Sequence, residues 1–189
     1  MRKESFIRRY CKRMRFILGI FTLLWLFIPN AYAQSPDEDQ LWAKWINNLI
    51  PYLKWPTPHN PLIVCTVGRG HVDEFLRASI KTEEAAAEKQ GKKLTPIQVL
   101  AQTTKSSFKE CNVLYVSISE TDVVENIVDK LNDRPVVTVS AIPSFALRGG
   151  MIEFMRQDGK PFRINSKQIY QTGMTINADL LAISENVGN

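Results

Sequence analysis

The chain has 189 residues and carries 24 Lys and Arg against 19 Asp and Glu, a formal net charge of +5. Seven of the basic groups but one acidic group, Glu4, fall in the first 33 residues, which leaves 17 basic and 18 acidic groups beyond them. The basic balance therefore belongs to the N-terminal segment, and a nucleic-acid binder, which needs a basic face on its folded part, is excluded.

That segment has three zones. Arg2, Lys3, Arg8, Arg9, Lys12, Arg13 and Arg15 form a basic head, residues 16–28 are uncharged and apolar, and Pro29 precedes Ala31-Tyr32-Ala33. A basic head, an apolar run and small residues flanking a larger one predict a cleavable secretory signal over residues 1–33, with Gln34 as the mature N-terminus. The apolar run of about 13 residues is short of the roughly 20 that span a bilayer; an uncleaved anchor is the alternative. No Cys follows the cleavage position, so a lipid anchor is not expected. Residues 34–189 have the length of a single domain that is soluble after cleavage. Cys11 leaves with the signal. Cys65 and Cys111 remain, an even number in an oxidising compartment, which reads as one disulfide, two buried free thiols being the alternative.

Residues 36–53 read as an amphipathic helix. Leu41, Trp42, Trp45, Ile46, Leu49, Ile50 and Leu53 recur at spacings of three and four opposite Lys44, Asn47 and Asn48. Pro36 with Asp37, Glu38 and Asp39 suits the helix start, and Pro51 should kink or end it. Three prolines within residues 56–61 make an extended connector. Residues 62–67 predict a buried strand closed by Gly68, residues 73–90 a helix ended by Gly91, and residues 96–101 and 113–118 two further strands. Residues 122–131 predict a helix and residues 135–139 a fourth strand. After a short helical segment at residues 145–147, residues 151–155 and 162–164 form a hairpin around Asp158-Gly159, whose glycine supplies the positive φ of a tight turn. Residues 166–187 read as a final helical stretch interrupted at Gly173. Strand–helix–strand alternation implies a mostly parallel sheet of five or six strands with helices on both faces, a three-layer α/β sandwich with a C-terminal antiparallel hairpin at its edge.

The turn Gly68-Arg69-Gly70-His71 falls where open α/β sheets bind ligands. The dinucleotide fingerprint would need a glycine where Asp73 stands, and a carboxylate at that helix start repels pyrophosphate. A possible ligand turn is set against a turn shaped for chain reversal alone. His59 and His71 are the two histidines, and neither has a metal-ligand neighbour at zinc spacing. No Gly-x-Ser-x-Gly elbow accompanies them, so no hydrolytic triad assembles. Glu83, Glu84 and Glu88 read as a solvated helix face. Neither an enzyme nor a cofactor site is expected. Trp42, Trp45, Tyr52 and Trp55 crowd the first helix and connector; such residues are usually core, and the functional alternative is a partner-facing patch.

Trp55-Pro56, Leu62-Ile63-Val64-Cys65 closed by Gly68, and Cys111-Asn112-Val113-Leu114-Tyr115-Val116 resemble the YfiR-like periplasmic regulators in order and spacing. So do Thr138-Val139-Ser140, Gly149-Gly150-Met151-Ile152, Phe162-Arg163-Ile164-Asn165 and Asn177-Ala178-Asp179-Leu180-Leu181. The resemblance spans residues 44–184. It implies a periplasmic α/β protein whose relatives bind the periplasmic domain of an inner-membrane diguanylate cyclase and hold it inactive, lowering cyclic di-GMP and biofilm formation. A homodimer is also implied, and Cys65 and Cys111 match a disulfide of such relatives. A second disulfide of some members, near Gly149-Gly150, has no counterpart here. Gly149, Gly150 and Asn165 read as a structural signature, the glycines permitting a turn and Asn165 or Ser166 capping the last helix.

Overall fold

The first helix, α1 (Pro36–Leu49), begins where Ser35 Oγ accepts the Glu38 N–H at 3.3 Å, with three carboxylates in the first turn at the positive end of the helix dipole. Pro51 has no N–H to continue the ladder, so the chain tightens into a 3-10 turn, Ile50–Tyr52, and extends into β1 (Leu53–Lys54). The computed structural model describes residues 35–188 except Asn132, Gln157 and Asp158. The expected signal lies outside the described residues, as does Asp158 of the expected turn. The described residues fall within one compact unit, Ala33–Asn189.

Four strands follow with their crossovers: β2 (Leu62–Val67), α2 (Val72–Lys89), β3 (Ile97–Gln102), β4 (Val113–Val116), α3 (Val124–Asp129) and β5 (Val137–Ser140). The hairpin β6 (Ile152–Phe154) and β7 (Phe162–Asn165) comes next, then α4 (Ser166–Gln171), β8 (Thr175–Ile176), α5 (Ala178–Ala182) and β9 (Ser184–Val187). A seven-stranded sheet runs in the order β3-β2-β4-β5-β6-β7-β9; every neighbouring pair is parallel except β6–β7. β1 and β8 form a separate two-stranded antiparallel ladder, Leu53 opposite Ile176.

The fold is the mostly parallel α/β architecture expected, with three differences. The sheet has seven strands rather than five or six, because residues 166–187 are not one helical stretch. Gly173, at φ +76°, ends α4, and the chain returns as β8, the single turn α5 and β9. The sequence Ser-Glu-Asn-Val has little helix preference, and laid beside β7 its backbone gains a full ladder. The hairpin is consequently interior rather than an edge. Residues 145–147 form hydrogen-bonded turns instead of a helix, around Ser144 at φ +62°. Helix α3 is also shorter than residues 122–131, since Ile118–Val123 ahead of it winds as a 3-10 stretch capped by Ser117.

Strand alternation divides the core in two. Val64, Val113, Tyr115, Val137, Val139, Ile152, Phe154 and Ile164 face a layer made with Trp42, Ile46, Leu49, Leu76 and Ile80 of α1 and α2. Cys65, Val67, Leu114 and Val116 face the other side, against Val124, Ile127, Leu131 and Phe145. Within that second layer Cys65 and Cys111 are joined by a disulfide, tying β2 to the segment entering β4. Where the second face passes β5 it turns polar. Buried Glu153 accepts N–H groups of Ser144 and Ala146 and pairs with Arg163 at 3.1 Å, and Arg163 reaches Glu185 on β9 at 3.1 Å. The flanking carboxylates hold the Arg163 guanidinium further toward its charged form, the hydrogen bond it donates to Glu185 being the main cause.

Candidate functional site

The turn Gly68–His71 lies at the carboxyl end of β2, where the chain goes to one side for β3 and to the other for β4. Such a switch point is the usual ligand crevice of an open α/β sheet. Here the chain fills it with its own groups. The Arg69 N–H donates to Ser119 Oγ at 2.9 Å, and Ser117 Oγ donates to the Arg69 carbonyl at 2.6 Å. The His71 N–H donates to Asp39 Oδ2 at 2.7 Å. Gly70, at φ +128°, lets that carboxylate approach: a Cβ there would stand 3.1 Å from Asp39 Oδ2. At Gly68 a Cβ would meet the Ser117 Cβ at 2.7 Å. The glycines thus serve close packing, and the position an anionic ligand would take is held by Asp39. His71 Nδ1 turns outward, 3.4 Å from Glu74.

Asp39 was not singled out in the sequence beyond its place in the first helical turn. It is 1% exposed, and its Oδ1 has no hydrogen-bond partner among the described residues. Burial pushes its carboxyl above the usual range, opposed by the His71 N–H and the nearby His71 ring and aided by Glu38 and Asp73. A folded-state value above the unfolded one means the neutral form fits the fold better. The stability is fully present below the ordinary carboxylate pKa and is lost as pH rises through the raised folded value. Asp39→Asn, which retains an oxygen for the His71 N–H, should therefore melt higher than wild type at pH 7. The gap should close on acidification towards about pH 4. Thermal melts across this range check it, and a gap unchanged with pH would exclude a buried charge as the cause.

The four aromatics separate. Trp42 is core, 1% exposed, and stacked on Phe154 at 5.4 Å. Trp45 is half-buried and packs edge-on against Trp42, Phe154 and Phe162. Trp55 is half-buried in the connector and donates its Nε1–H to the Asn112 carbonyl at 3.3 Å, a bond that anchors the connector to the start of β4. Tyr52 stays 39% exposed. It lines a cleft of about 430 Å³ between the end of α1, Pro161 and Phe162, and Leu180 and Ile183. Of the sequence-identified patch, Trp45 and Tyr52 share this cleft and Trp42 and Trp55 do not. The far wall was hidden in the sequence because residues 179–183 read as the interior of a helix.

Gly149, Gly150 and Asn165 lie where the chain packs closely on itself. Gly149 has φ +93°, and a Cβ on Gly150 would fall 2.2 Å from the Phe145 ring. Asn165 is the N-cap of α4, its Oδ1 accepting the Gln168 N–H at 3.1 Å, and its Nδ2 donates to the Ala146 carbonyl at 3.1 Å. One side chain thereby fixes the turn after β5 to the start of α4. Among the described residues, no group of three or more His, Cys, Asp or Glu is arranged to hold a metal ion, and no helix is long and apolar enough to cross a membrane.

No curated protein matches the chain. Among solved structures, it is similar to the crystal structure of a conserved domain protein from Vibrio cholerae O1 biovar El Tor str. N16961, at 15% identity and a TM-score of 0.47. The similarity covers 78% of this chain, and the chain spans 59% of the length of that structure. The family model described as YfiR/HmsC-like matches residues 39–185, from the buried carboxylate of α1 to the edge strand β9. With that match running over every strand of the sheet, the chain belongs to the YfiR/HmsC-like family.

Proposed function

We propose that residues 1–33 are removed on export and that residues 34–189 act in the periplasm as a regulatory binding protein. It represses an inner-membrane diguanylate cyclase by holding the cyclase's periplasmic domain in an inactive conformation. The observation that carries this reading is the family match across residues 39–185. Two structural features support action by binding rather than catalysis. The polar groups of the sheet's switch point are engaged with one another, and Tyr52 is exposed on an apolar cleft beside α1. Repression requires only that the protein bind the inactive receptor more tightly than the active one, since differential affinity is what shifts a conformational population. The Gly68–His71 turn as a small-ligand site has no support of this kind, because Asp39 occupies it.

Deleting the gene should raise cellular cyclic di-GMP, and restoring it in trans should return the level to normal. Unchanged cyclic di-GMP in a strain shown to express the protein would remove the reading.

A further inference from the structure

The cleft beside Tyr52 adjoins a second one of about 490 Å³ along the same helix; Trp45 and Pro161 line both. The resulting groove follows α1 from Leu41 to Tyr52, about 16 Å at helical rise. Among the described residues six large hydrophobic side chains remain exposed, and three of them, Leu41, Tyr52 and Ile183, sit on this groove at 40%, 39% and 50%. Exposed apolar side chains gathered in one concave strip mark an interaction surface, whereas scattered ones do not.

The shape and charge of the groove select its occupant. Its length over three helical turns exceeds a compact small molecule. The strand that reaches the groove through Phe162, β7, is paired on one side with β6 and on the other with β9, so an added strand would find no free backbone on it. The apolar positions of α1 recur once per turn, the spacing that another helix meshes with. The two ends differ electrically. At one, Glu38 is neutralised by Arg156 at 3.1 Å. At the other, Asp179 is exposed and is, among the described residues, the one charged side chain lining that end.

We infer that this groove binds an amphipathic helix of a partner protein. The helix presents apolar anchors at i, i+4 and i+7, with a Lys or Arg at the end lying over Asp179. The assignment names the surface through which the proposed regulator engages its partner, and it rests on that reading only for its readout in cells.

The test uses a display library of helix-forming peptides of about three turns, selected on the exported protein. The selected peptides should carry the i, i+4, i+7 apolar pattern with a terminal basic residue. Their affinity should fall at least tenfold on Tyr52→Ala and on Ile183→Asp. Asp179→Lys should reverse the preference to a terminal Glu. All three positions are exposed, and unchanged melting temperatures will show that the variants remain folded. Peptides that bind equally well to the variants, that bind as extended chains, or that fail to emerge at all overturn the assignment. So does a self-association of the protein that Ile183→Asp abolishes, which would give the groove to a second copy. In cells, a strain carrying Ile183→Asp should show raised cyclic di-GMP. If gene deletion raises cyclic di-GMP and Ile183→Asp does not, the groove assignment falls and the regulator stands. If deletion changes nothing, the regulator falls, and the peptide selection alone decides the groove.

Discussion

Cys65→Ser or Cys111→Ser should destabilise the protein by about 4 kcal/mol, the chain-entropy value for releasing a loop of 46 residues. For a domain of this size that corresponds to a fall in melting temperature of roughly 10 °C. The bridge is the covalent link between the second core layer and the chain entering β4, and both cysteines are buried there, at 0% and 2% exposure. Either single variant should expose the partner thiol to labelling once the protein is unfolded, while wild type should label at neither cysteine under the same conditions. Labelling of both thiols in unfolded, unreduced wild-type protein taken from the periplasm would show that the bridge does not form there. A loss below about 1 kcal/mol would mean that the unfolded chain keeps the two segments together without the bond.

Trp42→Ala should cost a comparable amount, about 3–5 kcal/mol, the range for emptying an aromatic site in a packed core. Trp42 stacks on Phe154 of β6 and meets Trp45 edge-on at 5.2 Å, so with Trp45 it seats α1 on the hairpin half of the sheet. Its Nε1–H has no hydrogen-bond partner among the described residues. Trp42→Phe keeps an aromatic ring against Phe154 and discards the unsatisfied donor together with the volume of one fused ring, so it should cost less than Trp42→Ala. Denaturant unfolding of the three proteins, compared at constant m-value, measures both differences. Equal losses from Ala and Phe would show that a single ring at this position retains none of the packing with Phe154.

Much of the framework was legible in the residues. The start of α1 was marked by Pro36 and three acidic residues, and its end by Pro51. Short apolar runs located β2, β4 and β5, since a parallel strand covered on both faces must be apolar at successive positions, while the edge strand β3 was marked by Pro96 ahead of it. The pairing of Cys65 with Cys111 followed from two cysteines left beyond the expected signal, with the family resemblance pointing to the same pair. The site was less legible. The Gly68–His71 turn drew attention for the correct reason, its place at the switch point, but what fills it comes from Asp39, 31 residues upstream of Gly70 in the chain. No local pattern announces that a helix-start carboxylate will be buried against a distant glycine.

The C-terminal third shows the same limit from the other side. Residues 184–187 lack the alternation of a strand and carry one β-branched side chain, Val187, and alone they would not hold that shape. They become β9 because β7 offers an unpaired row of backbone donors and acceptors beside them. That decision also places Ile183 and Leu180 opposite Tyr52, which creates the groove. By itself, then, the sequence determined the elements whose periodicity and punctuation are local, together with the α/β class and the disulfide. Only the tertiary structure decided which aromatics are core, what occupies the switch point, and where an exposed apolar surface collects. Those outcomes depend on contacts between segments far apart in the chain, and burial and backbone pairing are settled only when the segments meet.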